Sequence, residues 1–326
     1  METKIKSVAE FVEAIIAETS KLDNDDYQIF WFRGEGSINW KTSLVPNSYR
    51  TNVGAFKGKI DDSFYSKNIK HIETNTNADF KIRAQRYISS KGIENSYWNR
   101  YILMQHYGIN TRLLDWTENA ILALFFAISD KSTFQDDSKV WILLPTILND
   151  FTIKRIINTD KSCAIIPTCN DSYTKQKLQP KKGVLILGEL TRRYLVMDFE
   201  NASNTIPSIY YPLAILPIYL DERMNAQKTC FTIFGDRLNG LLSNDDNSKF
   251  LSSITIEGGE SKLKMLKELQ LLGIDFESIY PDLNGIGQSI SEKYKSRFLE
   301  NSDAFFHVLK STLVKIKTNE SNEEIK

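Results

Sequence analysis

The stretch from Gln105 to Ala127, QHYGINTRLLDWTENAILALFFA, sets polar and ionisable side chains against the most apolar part of the chain. Its RLLDWT portion is a short strand candidate; in an extended chain Leu113, Asp115 and Thr117 face one way, Leu114 and Trp116 the other. A carboxylate then shares a side with an apolar neighbour, a local conflict of the kind that marks functional or strained sites. Two plainer readings stand beside this one: Asp115 pairs with an arginine such as Arg112 or Arg33, and Trp116 is core. The residues that follow, NAILALFFAIS, are apolar all round and predict a central helix. Thr117 is positioned to cap it, and Glu118 lies in its first turn, where the helix dipole favours an acid.

Just upstream, YWNRYILMQHYG predicts a helix, and His106 before Tyr107-Gly108 reads either as a satisfied structural histidine or as a site group. From Arg50 to Arg100 the sequence is polar and mixed, with helical stretches such as ADFKIRAQRYISS and little strand signal. Before it, YQIFWFRG is dense in aromatic and β-branched residues and stops at Gly34, which predicts a buried strand with Arg33 at its end. A guanidinium there either forms a structural ion pair with a buried acid or clamps a phosphate or carboxylate with its rigid fork, Gly34 and Gly36 letting backbone approach the ligand. At the N-terminus, Ser7 followed by Glu10 makes a capping box, and Val8, Phe11, Val12, Ile15 and Ile16 recur at helical spacing.

Downstream come six strand candidates, KVWILLP, SCAIIPT, GVLILG, LAILPIYL, KTCFTIFG and SSITIEGG, separated by Pro, Gly and polar turns. Clustered strands with helices gathered elsewhere predict an α+β fold. Leu263, Leu266, Leu269 and Leu272 then step by three toward Gly273, an amphipathic helix with a glycine stop. A last helical stretch carries Phe305, Phe306 and Leu309, and the tail from Lys317 reads as frayed. No internal repeat and no linker divides the chain.

Composition excludes several classes. Lys plus Arg equals Asp plus Glu, 41 each, so no bulk field draws the protein to nucleic acid or anionic lipid. The longest apolar run, Ala120–Ile128, falls far short of the roughly twenty residues a membrane span needs. The amphipathic N-terminus lacks the uninterrupted apolar core of a secretory signal, which predicts a cytoplasmic protein. Cys163, Cys169 and Cys230 have no C-x-x-C spacing, and His71, His106 and His307 are scattered, so neither a disulfide framework nor a metal site is expected. G-x-x-x-x-G-K-[ST], H-E-x-x-H, G-x-S-x-G and a strand-anchored G-x-G-x-x-G are all missing.

FWFRG, then QHYG, then TRLLDWT entering a helix with ALFFA resembles the FRG family, named for its Phe/Tyr-Arg-Gly motif. RMNAQKTCFTIFG (Arg223–Gly235) and LGIDFESIYPDLNGI (Leu272–Ile286) resemble later parts of that family. The likeness implies an FRG domain over residues 30–286, with 1–29 an N-terminal helix of the same domain and 287–326 C-terminal helices and tail. FRG domains occur in prokaryotic and mobile-element contexts, so the resemblance implies a toxin or antiviral defence effector, with a cognate antitoxin as a partner.

The family's layout is similar to that of the ADP-ribosyltransferase superfamily, which implies a mixed or antiparallel β core with surrounding helices and NAD as substrate. Those enzymes place an Arg or His at the end of an early strand, a Ser/Thr-rich strand entering an A-x-x-F-A-like helix, and often a Glu near the start of a late strand. Arg33 fills the first position, Asp115-Trp116-Thr117 with Ala123–Ala127 the second, and Gln227 before KTCFTIF the third. The resemblance thus implies Arg33, Asp115 and Gln227 as catalytic residues, and Arg33, Gly34, His106, Tyr107, Trp116 and Thr117 as NAD-binding, with Trp116 or Tyr107 stacking on nicotinamide. Gln227 departs from the pattern, because an amide can bond ribose hydroxyls but cannot offset an oxocarbenium charge; Asp115 or Glu222 would have to supply it. The expected acceptor is a macromolecule. RNA or DNA is favoured over protein by the basic, aromatic loop YTKQKLQPKKG (Tyr173–Gly183), which reads equally as a solvated turn. The rival reading is a non-enzymatic module that binds a ligand or partner chain.

Overall fold

The structure, a computed structural model, describes residues 4–22, 28–50, 62–169, 177–178, 185–195, 209–242 and 247–294. The chain forms two compact units, residues 1–272 and 273–326. In the first, the elements in chain order are α1 (Val8–Leu22), β1 (Trp31–Glu35), α2 (Asn47–Arg50), α3 (Asp62–Ser90), α4 (Tyr97–His106), β2 (Leu113–Thr117) and α5 (Ala120–Ile128). Then follow β3 (Ser138–Leu143), α6 (Pro145–Ile157), β4 (Lys177–Leu178), β5 (Leu185–Ile186), α7 (Leu187–Leu195), β6 (Leu213–Ile215), α8 (Glu222–Ala226), β7 (Thr229–Ile233), β8 (Leu251–Ile256) and α9 (Glu260–Leu271). The second unit holds α10 (Phe276–Ile279), started by a capping box between Asp275 and Ser278. The loop Tyr173–Gly183 apart from Lys177–Leu178, the Phe305–Leu309 stretch and the tail from Lys317 lie outside the described residues.

The α+β class holds: six strands form one open sheet in the order β6-β7-β2-β1-β3-β8, every neighbour antiparallel. The sheet is two well-zipped halves with a weak seam. β1 pairs with β3 from Trp31↔Leu143 to Glu35↔Lys139, and β2 pairs with β7 from Leu113↔Ile233 to Thr117↔Thr229. Between β1 and β2 the register contains one pair, Phe32↔Thr117, beyond which the strands diverge into a fork. Cross-strand partners share a face. Trp31, Arg33 and Glu35 therefore lie on the face of Leu114 and Trp116, whereas Phe32, Gly34, Leu113 and Asp115 lie on the other.

Each face carries its own core. Leu114, Trp116 and Trp31 pack with Leu44, Val45 and Tyr49 from the α2 region. Leu113, Phe231 and Ile233 pack with Trp98, Tyr101 and Ile102 of α4. α5 lies against β1 at Gly34, where a Cβ would sit 2.0 Å from the Ala123 carbonyl oxygen and 2.6 Å from the Ala127 nitrogen. The glycine of the FWFRG stretch and the alanines of ALFFA thus exist to let a helix and a strand touch backbone to backbone.

Several expectations need correction. Arg33 is not at a strand end, because Gly34 and Glu35 go on pairing with Val140 and Lys139. α5 is capped by Asn119, whose side-chain oxygen accepts from the Ile121 and Leu122 amides; Thr117 instead accepts the Asn119 N–H. At the N-terminus the Ser7 hydroxyl accepts the Glu10 amide, but the Glu10 carboxylate turns to the Lys6 amide, so the box is one-sided. SCAIIPT is not a strand, since α6 side chains take its backbone: Asp150 accepts from the Cys163 amide and Asn149 donates to the Ile165 carbonyl. Among the described residues of GVLILG, Leu185–Ile186 is strand and α7 begins at Leu187. In α9 the inward face is Lys262, Met265 and Leu269; Leu263 and Leu272 are exposed, because three-residue steps drift around a 3.6-residue turn.

Candidate functional site

The fork between β1 and β2 is where the polar residues converge. Arg33 sits at its root, with Nη1 donating to the Asp115 main-chain carbonyl at 2.8 Å and Nε facing a Glu35 carboxylate oxygen at 3.4 Å. Glu35 is buried and fully engaged: the same oxygen accepts the Leu44 amide, and the other accepts the Ser43 hydroxyl and the Trp141 indole N–H. Burial opposes ionisation of Glu35, but the Arg33 charge and these hydrogen bonds outweigh it and hold the carboxyl below the usual range. Arg33 Nη2 has no hydrogen-bond partner among the described residues. The structural alternative for Arg33, an ion pair with a buried acid, is thus present through Nε.

The Asp115 side chain is exposed on the opposite face, and its carboxylate accepts from Gln105 Nε2 at 2.9 Å. Gln105 is in turn oriented by the Thr111 hydroxyl, which donates to its Oε1 at 2.6 Å. Arg112 does not pair with Asp115. It is fully buried, with Nε on Glu73 at 2.7 Å, Nη1 on the Phe234 carbonyl and Nη2 on the Tyr194 carbonyl. The Arg112 amide also donates to Glu73, so one buried acid anchors the entry of β2 to α3.

The last turn of α4 lines the same face. His106 Nε2 lies 3.0 Å from Asp221 Oδ2, and the other oxygen of Asp221 caps α8 through the Met224 amide. Burial works against the Asp221 charge, but the His106 contact and the Met224 amide prevail and keep its carboxyl below the ordinary value. Tyr107 is exposed, packs edge-on against Tyr87 and shares a 2.6 Å hydroxyl contact with it. Burial and the Tyr87 hydroxyl raise the Tyr107 pKa, which keeps the phenol protonated.

Gln227 is the C-cap of α8, two residues before β7, and its carbonyl accepts the Thr117 hydroxyl at 2.7 Å. The structure therefore joins Arg33 to the Asp115 main chain and Gln105 to the Asp115 side chain on the other face, sets His106 and Tyr107 beside Gln105 at the end of α4, and joins Thr117 to Gln227 at the other end of β2. It does not bring in Trp116 or Gly34 as contact residues. The Trp116 ring is 2% exposed in the core, its indole N–H bonded to Thr232, so it cannot stack on a ligand. Gly34 is covered by α5.

Sequence reading missed Glu35 and Asp221. An acid closing the aromatic FWFRGE run was a usable signal for Glu35; nothing local marks Asp221, whose partner His106 is far away in sequence. Among the described residues no group of His, Cys, Asp or Glu is arranged to hold a metal ion, and no helix is long and apolar enough to cross a membrane.

No curated protein and no solved structure matches the chain. The model of the FRG domain matches residues 28–136, a span that includes FWFRG, QHYG and TRLLDWT and hence both sides of the fork, so this part of the chain is similar to the FRG domain.

Proposed function

We propose that this protein is an NAD-dependent ADP-ribosyltransferase-like toxin or antiviral defence effector that transfers ADP-ribose to a macromolecular acceptor. One observation carries the reading: Arg33 stands where the two half-sheets part, fixed by Glu35 and the Asp115 carbonyl, with its remaining guanidinium edge turned to no described protein group. A rigid cation at the root of a cleft suits the diphosphate or nicotinamide ribose of NAD. Further support comes from the antiparallel six-stranded sheet with Gln227 just ahead of β7, which agrees with the transferase layout.

In this reading Tyr107 offers its ring to nicotinamide, and Asp115 and Gln227 orient the ribose. The bond between nicotinamide nitrogen and the ribose anomeric carbon breaks with its electron pair leaving on nicotinamide. The acceptor nucleophile then forms the new bond to that carbon and gives up its proton to solvent. Positioning and charge stabilisation contribute more than proton transfer. Asp115, exposed on the other face of β2 from Arg33, is the acid this reading assigns to offset the developing positive charge.

The test is to incubate purified protein with NAD labelled in its phosphates and with cell lysate, and then to separate protein from nucleic acid. Label is expected in a macromolecular fraction, RNA or DNA ahead of protein. It should disappear in Arg33→Ala, with the variant still folded, and return poorly in Arg33→Lys, since a point charge lacks the bidentate fork. Unlabelled fractions with NAD intact would support the ligand-binding module instead.

A further inference from the structure

The segment Ser43–Arg50 covers one mouth of the fork and is tied to both sides of it. Its Ser43 hydroxyl and Leu44 amide donate to Glu35 of β1, and its Ser48 amide donates to the Thr111 carbonyl just before β2. The segment ends at Arg50, on the face of the sheet that also carries Arg33. Arg50 Nε donates to the Val45 carbonyl at 2.7 Å, which fixes the arm, while neither of its terminal nitrogens has a hydrogen-bond partner among the described residues. The Arg50 charge is partly desolvated and lies within electrostatic reach of Arg33, Glu35 and Asp115.

Two guanidiniums in one partly buried place repel each other unless an anion stands between them. On this face Glu35 sets one negative charge against the two positive ones, so the pair keeps a net positive charge for an anion to meet. Glu35 already receives four donors on its two oxygens, Arg33 and Leu44 on one, Ser43 and Trp141 on the other, which matches its acceptor capacity. The Asp115 carboxylate is on the opposite face and engaged by Gln105. The vacant edges are Arg33 Nη2 and both terminal nitrogens of Arg50, parallel N–H donors of the kind that grip phosphoryl oxygens in pairs.

We propose that Arg33 and Arg50 together form a seat for a diphosphate group, making Arg50 a second, unassigned anion-binding residue of this site. Equating that group with the diphosphate of NAD rests on the transferase reading; the seat itself does not. Arg33 and Arg50 each take phosphoryl oxygens, and Glu35, saturated by protein donors, keeps Arg33 aimed without competing for it.

The test is calorimetric titration of the full chain with inorganic diphosphate and, separately, with NAD. The wild-type protein should bind diphosphate, and binding should weaken steeply as salt is raised. Arg50→Ala should lose at least about tenfold in affinity, as expected for truncating a charge-assisted bidentate contact. Its thermal midpoint without ligand should change little, because relief of the like-charge repulsion offsets the lost Val45 hydrogen bond. Arg50→Gln keeps an N–H that reaches Val45 but carries no charge; it should show the same loss, and it decides the matter if the alanine variant fails to fold. Wild-type affinity in either folded variant, or no binding of diphosphate and NAD by the wild-type chain, would overturn the seat. Arg50-dependent binding with no transfer of label from NAD would leave the seat standing and remove the transferase reading.

Discussion

At the scale of single residues, the polar groups of the fork divide into those that hold the protein and those that face outward, and substitution separates them. Arg112 and Glu73 hold. Removing either partner strands a buried charge, at a cost of about 3–5 kcal/mol, so Arg112→Met should lower the unfolding midpoint severely in denaturant titration. Asp115 faces outward, with Gln105 on its carboxylate and no other hydrogen-bond donor to it among the described residues. Asp115→Asn should leave the unfolding midpoint almost unchanged while lowering transfer; a large loss of stability with unchanged specific activity would make Asp115 structural. Glu35 gives a pH signature. Its folded pKa is depressed, so its contribution to stability is fully present above the unfolded value of about 4.3 and is lost as pH falls from there through the folded value. Equilibrium unfolding between neutral pH and that acid window should therefore fall less steeply in Glu35→Gln than in the wild-type protein.

At the scale of elements, the contact between β1 and α5 is the part of the fold most completely written in the sequence, and glycine substitution measures it. Gly34→Ala drives a methyl into the Ala123 carbonyl and the Ala127 nitrogen, backbone atoms that cannot turn aside, so a loss of about 3 kcal/mol is expected, at the upper end of overpacking costs. Gly92→Ala meets open space and suffers only from its positive φ, about 1–2 kcal/mol. Equal effects in the two variants would mean that Gly34 matters for backbone freedom and not for helix contact. What was legible follows the same logic. β1, β2, β3, β7, β8 and the central helix α5 could be read because their apolar patterns are continuous and local. The SCAIIPT segment misled because its Cys163 amide and Ile165 carbonyl go to Asp150 and Asn149 of α6, a tertiary fact that β-propensity cannot contain. Arg33 and Asp115 could be selected as site candidates, but not the fork that relates them, since the divergence after Phe32↔Thr117 exists only once both strands have chosen their outer partners.

At the scale of the whole molecule, the sheet is two halves meeting at Phe32↔Thr117, and Gln227 lies where the end of the β2–β7 half meets that seam. The Thr117 hydroxyl donates to the main-chain carbonyl of Gln227, and a side-chain substitution at 227 leaves that bond in place. Two variants thus separate architecture from chemistry. Thr117→Val deletes the donor and leaves a partly buried carbonyl without it, so thermal stability should fall by about 1 kcal/mol. Gln227→Ala keeps the carbonyl and removes the amide that the transferase reading sets against the ribose hydroxyls. It should leave the thermal midpoint nearly unchanged and lower transfer at least about tenfold, or about 1.4 kcal/mol of transition-state stabilisation. Gln227→Glu keeps the length and adds a charge that favours an oxocarbenium ion but repels the substrate diphosphate, so its sign depends on which charge lies nearer. Unchanged kinetics in Gln227→Ala would remove the start of β7 from the site. Chemistry would then be left to Arg33, Asp115 and the last turn of α4, all gathered on the other side of the Phe32↔Thr117 pair.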